Sequence, residues 1–289
     1  MTNKLILGTA QFGLNYGINN FNGRPNNLEI FKILNYAYNN EIRTLDTAED
    51  YGIAHEVISQ YLKKFPKNKF DIITKVNPQN VKKSFLLSKV MKICKFFNSK
   101  NLAGFMFHNL QKLKENESLY GEILKIKKNG FVKEIGISVY ENFEIEDVVN
   151  NYSDFDFIQI PFNLLDNENL RKKYIDIAKN KNIKIHARSI FLQGLFFKKP
   201  SLLNKKFVNI IPDLEYLNKI SKKNSIKINE MALKYVVEKK YIDKVLIGVD
   251  NINQIIENIK ICNNPKDSHS KLISKIFVDD NKILYPKNW

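Results

Sequence analysis

The sequence predicts an α/β fold, a (β/α)8 TIM barrel built as a single domain. Eight short apolar runs, rich in β-branched and aromatic residues, recur roughly every 25–35 residues with helical patterns between them. Eight such units in 289 residues suit a barrel, whose usual size is about 250 residues. The competing open, doubly wound sheet should carry a glycine-rich phosphate turn after its first strand. Gly8, Gly13 and Gly17 match neither G-x-G-x-x-G nor a P-loop.

In chain order the strands are expected at 5–9 (LILGT), 42–46 (IRTLD), 71–75 (DIITK), 104–108 (GFMFH), 134–138 (EIGIS), 157–161 (FIQIP), 183–187 (IKIHA) and 244–248 (KVLIG). The segment 28–40 places Ile30, Ile33, Leu34 and Ala37 on one face at a 3.6-residue period. Segments 55–64 and 226–240 read the same way. Asn251 suits the N-cap of a helix over INQIIENIKI, and Gln254 three residues on gives a weak capping-box signal. The connection between the seventh and eighth strands is the longest. It includes 192–207 ahead of two helical stretches, and it opens on the barrel face where chemistry is placed, so it is expected to shape the pocket or cover a ligand. No low-complexity linker divides the chain, so 1–289 reads as one domain with 260–289 as a C-terminal extension.

Composition narrows the classes. A hydrophobic fraction of 44% supports a sizeable core. Cys94 and Cys262 show neither metal nor redox spacing, which fits a reducing compartment. No run approaches the roughly 18 apolar residues of a membrane span, and LILGTA is too short for a signal peptide core. The expected location is the cytoplasm. The net charge of +16 could signal nucleic acid, but the lysines are scattered in pairs such as Lys63-Lys64, Lys127-Lys128 and Lys222-Lys223 on polar helix faces. The expectation is no nucleic-acid and no membrane partner. Attraction to anionic small molecules fits the charge better.

Asp46, Lys75 and His108 fall at the ends of the second, third and fourth runs, with Tyr51 in the turn after the second. Polar residues at the carboxyl ends of barrel strands are where this fold places chemistry. A carboxylate, a phenol, an amine and an imidazole together make a proton-transfer site. Each has a blander reading taken alone: a turn aspartate, a half-buried loop aromatic, a strand-end lysine in water, a hydrogen-bonded core histidine. His55 is expected to face solvent, His186 to serve the core or barrel wall, and His269 to lie in a polar tail.

LDTAEDYG (45–52), ITK (73–75) and FMFHN (105–109) resemble the D-T-A-x-x-Y-G turn, the lysine strand and the histidine strand of the aldo-keto reductases. KEIGIS (133–138), FIQIPFNLLD (157–166) and VLIGVDNINQIIENI (245–259) resemble that family's fifth, sixth and eighth strand regions. The resemblance implies a barrel that binds a nicotinamide dinucleotide without a Rossmann domain and reduces carbonyls, with Tyr51, Lys75, Asp46 and His108 as its catalytic tetrad. In that scheme Tyr51 donates the proton, Lys75 lowers the Tyr51 pKa, Asp46 orients Lys75, and His108 bonds the carbonyl oxygen.

It also implies cofactor contacts from Ser138, Gln159, Gly248, Asn251, Gln254 and Asn258, and from Arg188 where relatives often have a stacking tyrosine. Arg188 could instead meet an anionic substrate group. Gln11 and Phe12 stand where relatives often have pocket residues. The family points to NADP(H). NAD remains open, because the loop after the eighth strand has no cation and Asp250 could accept from a ribose hydroxyl. GISVYEN (136–142) and HARSIFLQGL (186–195) are similar to members associated with bacterial surface-polysaccharide genes, which implies a sugar or nucleotide-sugar carbonyl. The alternative function is a catalytically silent NAD(P)H-binding regulatory subunit. Oligomeric state is not legible.

Overall fold

The computed structural model describes residues 2–264, 268–278 and 281–289. Its centre is a closed barrel of eight parallel strands in sequential order. These are β1 (Leu5–Gly8), β2 (Thr44–Asp46), β3 (Asp71–Val76), β4 (Leu102–Phe107), β5 (Val132–Ser138), β6 (Phe157–Pro161), β7 (Lys184–Arg188) and β8 (Lys244–Ile247). Each expected run became a strand, with ends shifted by a residue or two. Burial on both faces explains why continuous apolar runs, rather than alternating ones, marked them.

Inside the barrel, Ile6, Ile73, Met106 and Phe157 pack together with Leu246. Phe157 fills so much of this space that a Cβ on Gly136 would sit 2.5 Å from its ring. This accounts for a glycine inside the fifth strand. His186 stacks on the same ring at 4.3 Å and is buried, the wall role expected of it.

The outer helices follow the apolar stripes. Ile30, Ile33, Leu34 and Ala37 are the buried face of the helix Asn27–Asn39, which Asn26 caps by accepting from the Glu29 N–H. The helices Ala54–Lys64 and Ile228–Val237 lie where the periodicity placed them, and Ile211–Lys223 is the other helical stretch expected ahead of β8. Asn251 caps the helix Ile252–Asn263 as expected. The capping box is only half present: Gln254 Oε1 accepts from the Asp250 N–H at 2.8 Å rather than from the cap residue.

The C-terminal extension is tied to the barrel. The Asn167 amide donates to the carbonyls of Ile273 and Ile276, and the Tyr285 hydroxyl donates to Glu141 at 3.0 Å. Among the described residues, no helix is long and apolar enough to cross a membrane.

Candidate active site

The carboxyl ends of the strands surround a cavity of about 640 Å³, within the roughly 300–1,000 Å³ range of ligand sites. Asp46, Tyr51 and His108 line it from the ends of β2 and β4 and the turn after β2. Gly248, Asp250, Gln254, Glu257 and Asn258 line it from the end of β8 and the helix after it.

The turn that presents Tyr51 is set by two glycines. Gly52 adopts φ +53°, and a Cβ there would fall 2.4 Å from the Gly13 carbonyl. A Cβ on Gly13 would in turn overlap the Tyr51 carbonyl. The short helix Ala10–Gly13 therefore packs its backbone against the turn and fixes the phenol at the cavity.

Below the phenol, Lys75 and Asp46 form a fully buried ion pair. Lys75 Nζ lies 5.2 Å from the centre of the Tyr51 ring and also reaches the Thr47 carbonyl at 3.4 Å. The second oxygen of Asp46 accepts from Gln159 Nε2 at 2.9 Å. Burial drives the Lys75 pKa down, and the Asp46 charge opposes that.

Lys75 was expected to lower the Tyr51 pKa, but the net shift runs the other way. Desolvation raises it first, the Asp46 carboxylate adds to the rise, and Arg188 offsets only part. The Asp46 carboxylate offsets much of the Lys75 charge, so the ammonium does not outweigh the burial of the phenol. Tyr51 therefore keeps its proton throughout the neutral range.

His108 faces Tyr51 with ring centres 6.1 Å apart, and its Nδ1 lies 3.4 Å from Asp50 Oδ2. Burial and the Lys75 charge lower its pKa, while Asp50 raises it. A proton held by Nδ1 toward Asp50 leaves Nε2 as the nitrogen for a ligand, and Nε2 then donates only from the imidazolium. His55 does not face solvent as expected. Its Nε2 lies 3.1 Å from the buried Thr74 hydroxyl, and its ring packs edge-on to Phe97 at 5.0 Å.

The expected cofactor residues divide. Ser138, Gln159, Arg188, Gly248, Gln254 and Asn258 line the cavity. Asn251 does not: its side chain is spent on the Gln254 N–H. Gln11 lines the cavity, whereas Phe12 is buried in the core. Buried polar side chains at Ser138, Gln159 and Asn258 open onto the same space, an arrangement that suits the amide and base edges of a dinucleotide.

The end near β8 is acidic. Asp250 accepts from Asn20 and Gln254 side-chain amides at 3.4 and 3.5 Å. Glu29 takes the first free N–H of the helix, that of Ile252, at 2.8 Å. The backbone amides at the start of this helix, which could otherwise meet a phosphate, are therefore occupied at Ile252 and Gln254.

Several lining residues had no sequence signal. Tyr16, Asn19 and Asn20 come from the loop after the helix Ala10–Gly13, which folds over the cavity and pairs Ile18 N–H with the Gln193 carbonyl at 3.0 Å. Tyr140 follows β5, and burial pushes the Tyr16 phenol up to about 12. The long connection after β7 contributes Ser189, Ile190, Phe191, Gln193, Gly194 and Phe197, the pocket-shaping role expected of it.

Solved structures share this architecture. The aldo-keto reductase AKR11C1 from Bacillus halodurans, in its holo form, superposes with a TM-score of 0.76 at 17% identity, covering 94% of this chain and 91% of its own. Apo Gox0644 gives 0.71 at 16%, covering 96% and 90%. PA4992 from Pseudomonas aeruginosa gives 0.65 at 17%, covering 89% and 88%. At such identities the likeness speaks for the fold alone. No curated protein sequence matches. The family assignment rests instead on the sequence model of the Aldo/keto reductase family, which matches residues 4–274 in agreement with the tetrad and the closed barrel, and the chain belongs to that family.

Proposed function

We propose that this protein reduces an aldehyde or ketone with a reduced nicotinamide dinucleotide, with Tyr51 as general acid. The observation that carries the reading is the Tyr51 phenol placed at the cavity above the buried Lys75–Asp46 pair, where burial and the Asp46 charge raise its pKa. When bound, the dinucleotide supplies a hydride to the carbonyl carbon. Negative charge then develops on the carbonyl oxygen, and the phenol is the group placed to give it a proton. Lys75 and Arg188 steady the phenolate that remains, and Asp46 with Gln159 holds Lys75 in place.

For the cofactor, the resemblance favours NADP(H), but the carboxylates at the β8 end of the cavity support NADH. Asp250 and Glu257 line that end, and Arg188 and His108 are the only cavity-lining cations or cation precursors among the described residues. A 2′-phosphate there would face like charge, whereas a free ribose hydroxyl could donate to Asp250. We therefore take NADH as the preferred partner of this site. The buried, unbridged thiols of Cys94 and Cys262 support a cytoplasmic setting. The segments 136–142 and 186–195, whose resemblance implies a sugar or nucleotide-sugar carbonyl, line the pocket through Tyr140, Arg188 and their neighbours, and we take such a carbonyl as the substrate.

The reading is tested by following oxidation of NADH and NADPH with a panel of aromatic, aliphatic and sugar aldehydes. Consumption that requires both aldehyde and protein supports it. Tight cofactor binding without consumption by any carbonyl would favour the silent regulatory subunit.

A further inference from the structure

Arg188 ends β7 and lines the cavity beside Tyr51. Its guanidinium is held but not neutralised. Nη2 donates to the Val139 carbonyl at 3.1 Å, Nη1 lies 3.4 Å from the Ser189 hydroxyl, and the plane covers the Tyr140 ring at 4.1 Å. Among the described residues no carboxylate pairs with it, whereas Lys75 is matched by Asp46 and buried Arg171 by Asp166. A half-buried positive charge whose hydrogen-bond partners are all neutral oxygens gains from an anionic ligand.

The direction of the side chain says which part of a ligand it meets. From β7 it crosses the end of β6 onto the residues that follow β5. It thus leans away from the β8 end of the cavity, where the adenosine half of a dinucleotide would lie, and toward the reacting groups. Its charge acts on Tyr51, Tyr16, His108 and Lys75 alike.

We propose that Arg188 recognises an oxyanion on the substrate, a carboxylate or a phosphate carried close to the reacting carbonyl. The proposal rests on the reductase reading above and adds the substrate's charge to it. Guanidinium groups bind such oxyanions through paired N–H donors, and the anchoring by Val139 and Tyr140 pre-sets the plane of the fork.

The test compares benzaldehyde with 3- and 4-formylbenzoate and with 4-formylphenyl phosphate, in the wild type, in Arg188→Met and in Arg188→Lys. The readout is the ratio of kcat/KM for each anionic aldehyde to that for benzaldehyde. This ratio is insensitive to the fraction of protein folded. We expect at least one anionic probe to be favoured tenfold or more in the wild type, mostly through KM, with the ratio falling at least tenfold in Arg188→Met and partly restored in Arg188→Lys. Comparison of the formylbenzoates with the phosphate tells the two oxyanions apart. A ratio unchanged by Arg188→Met, with all aldehydes and NADH affinity falling together, overturns the proposal and makes Arg188 a cofactor or structural group.

Calorimetric binding of the same probes gives a second readout that needs no turnover. Formylbenzoate or phosphate binding that is lost in Arg188→Met supports the proposal, and equal binding in both proteins overturns it. Absence of aldehyde reduction by the wild type would overturn the reductase reading separately, leaving the binding comparison to decide the role of Arg188.

Discussion

The Gln159 side chain donates to Asp46 Oδ2 at 2.9 Å, so a glutamine from β6 and a carboxylate from β2 meet across the barrel. Lys75 holds the other oxygen. The carboxylate, 1% exposed, is thereby fixed from two sides, and the lysine under Tyr51 inherits that fixation.

Gln159→Leu removes one of these two partners and leaves Oδ2 short of a donor in a buried site. The expected loss of stability is about 1–3 kcal/mol, measured by urea unfolding. Stability equal to wild type would mean that the contact carries nothing.

Breaking the ion pair should cost more. Asp46→Asn leaves the Lys75 ammonium buried without a counter-charge, an expected loss of about 3–5 kcal/mol. The double variant Asp46→Asn/Lys75→Met should recover much of that stability while turnover stays lost, because the groups that hold and steady the phenol are gone. Recovery of turnover together with stability would show that the pair serves folding alone.

Much of this was legible in the sequence, for a physical reason. Strands buried on both faces must be largely apolar, so all eight stood out, and the polar residues that end the second, third and fourth runs marked the cavity end of the barrel. Asp46, Lys75 and His108 were readable in that way, and Tyr51 through its turn. What escaped depends on contacts between distant segments. Tyr16 and Asn20 reach the cavity because their loop is pinned to Gln193 and Asp250 far along the chain. His55 turns inward because Thr74 offers a buried hydroxyl. The sign of the Tyr51 shift needed the geometry too, since proximity to Lys75 alone predicts the opposite of what burial and the Asp46 charge produce.

Acid should weaken the fold through His186. Burial, with Lys244, Lys184 and Lys75 adding, pushes its pKa down to about 3, while the unfolded chain takes up the proton near 6.5. Its contribution is complete above pH 6.5 and is lost as pH falls toward 3, amounting to about 2 kcal/mol by pH 5. His186→Phe, which keeps the stack on Phe157, should flatten this limb of the stability–pH curve. An unaltered slope between pH 6.5 and 4 would assign the acid sensitivity elsewhere.

Cofactor choice gives the next test. Dissociation constants for NADH and NADPH, measured by calorimetry, should favour NADH by about tenfold, or ~1.4 kcal/mol. Asp250→Ala should erase most of that difference. Tighter binding of NADPH would mean that a lysine such as Lys227, which sits 3.0 Å from Glu257, swings over to hold the phosphate.

The central claim is that Tyr51 gives the proton. Stopped-flow decay of reduced-cofactor fluorescence, with a reactive aldehyde in Tyr51→Phe, tests it most directly. Only the phenolic oxygen and its proton are lost, and general acid catalysis contributes about 10²–10⁴-fold. The predicted result is a hydride-transfer rate at least about 10²-fold below wild type, with the dissociation constant of the reduced cofactor within about twofold. A rate within about threefold of wild type would contradict the account.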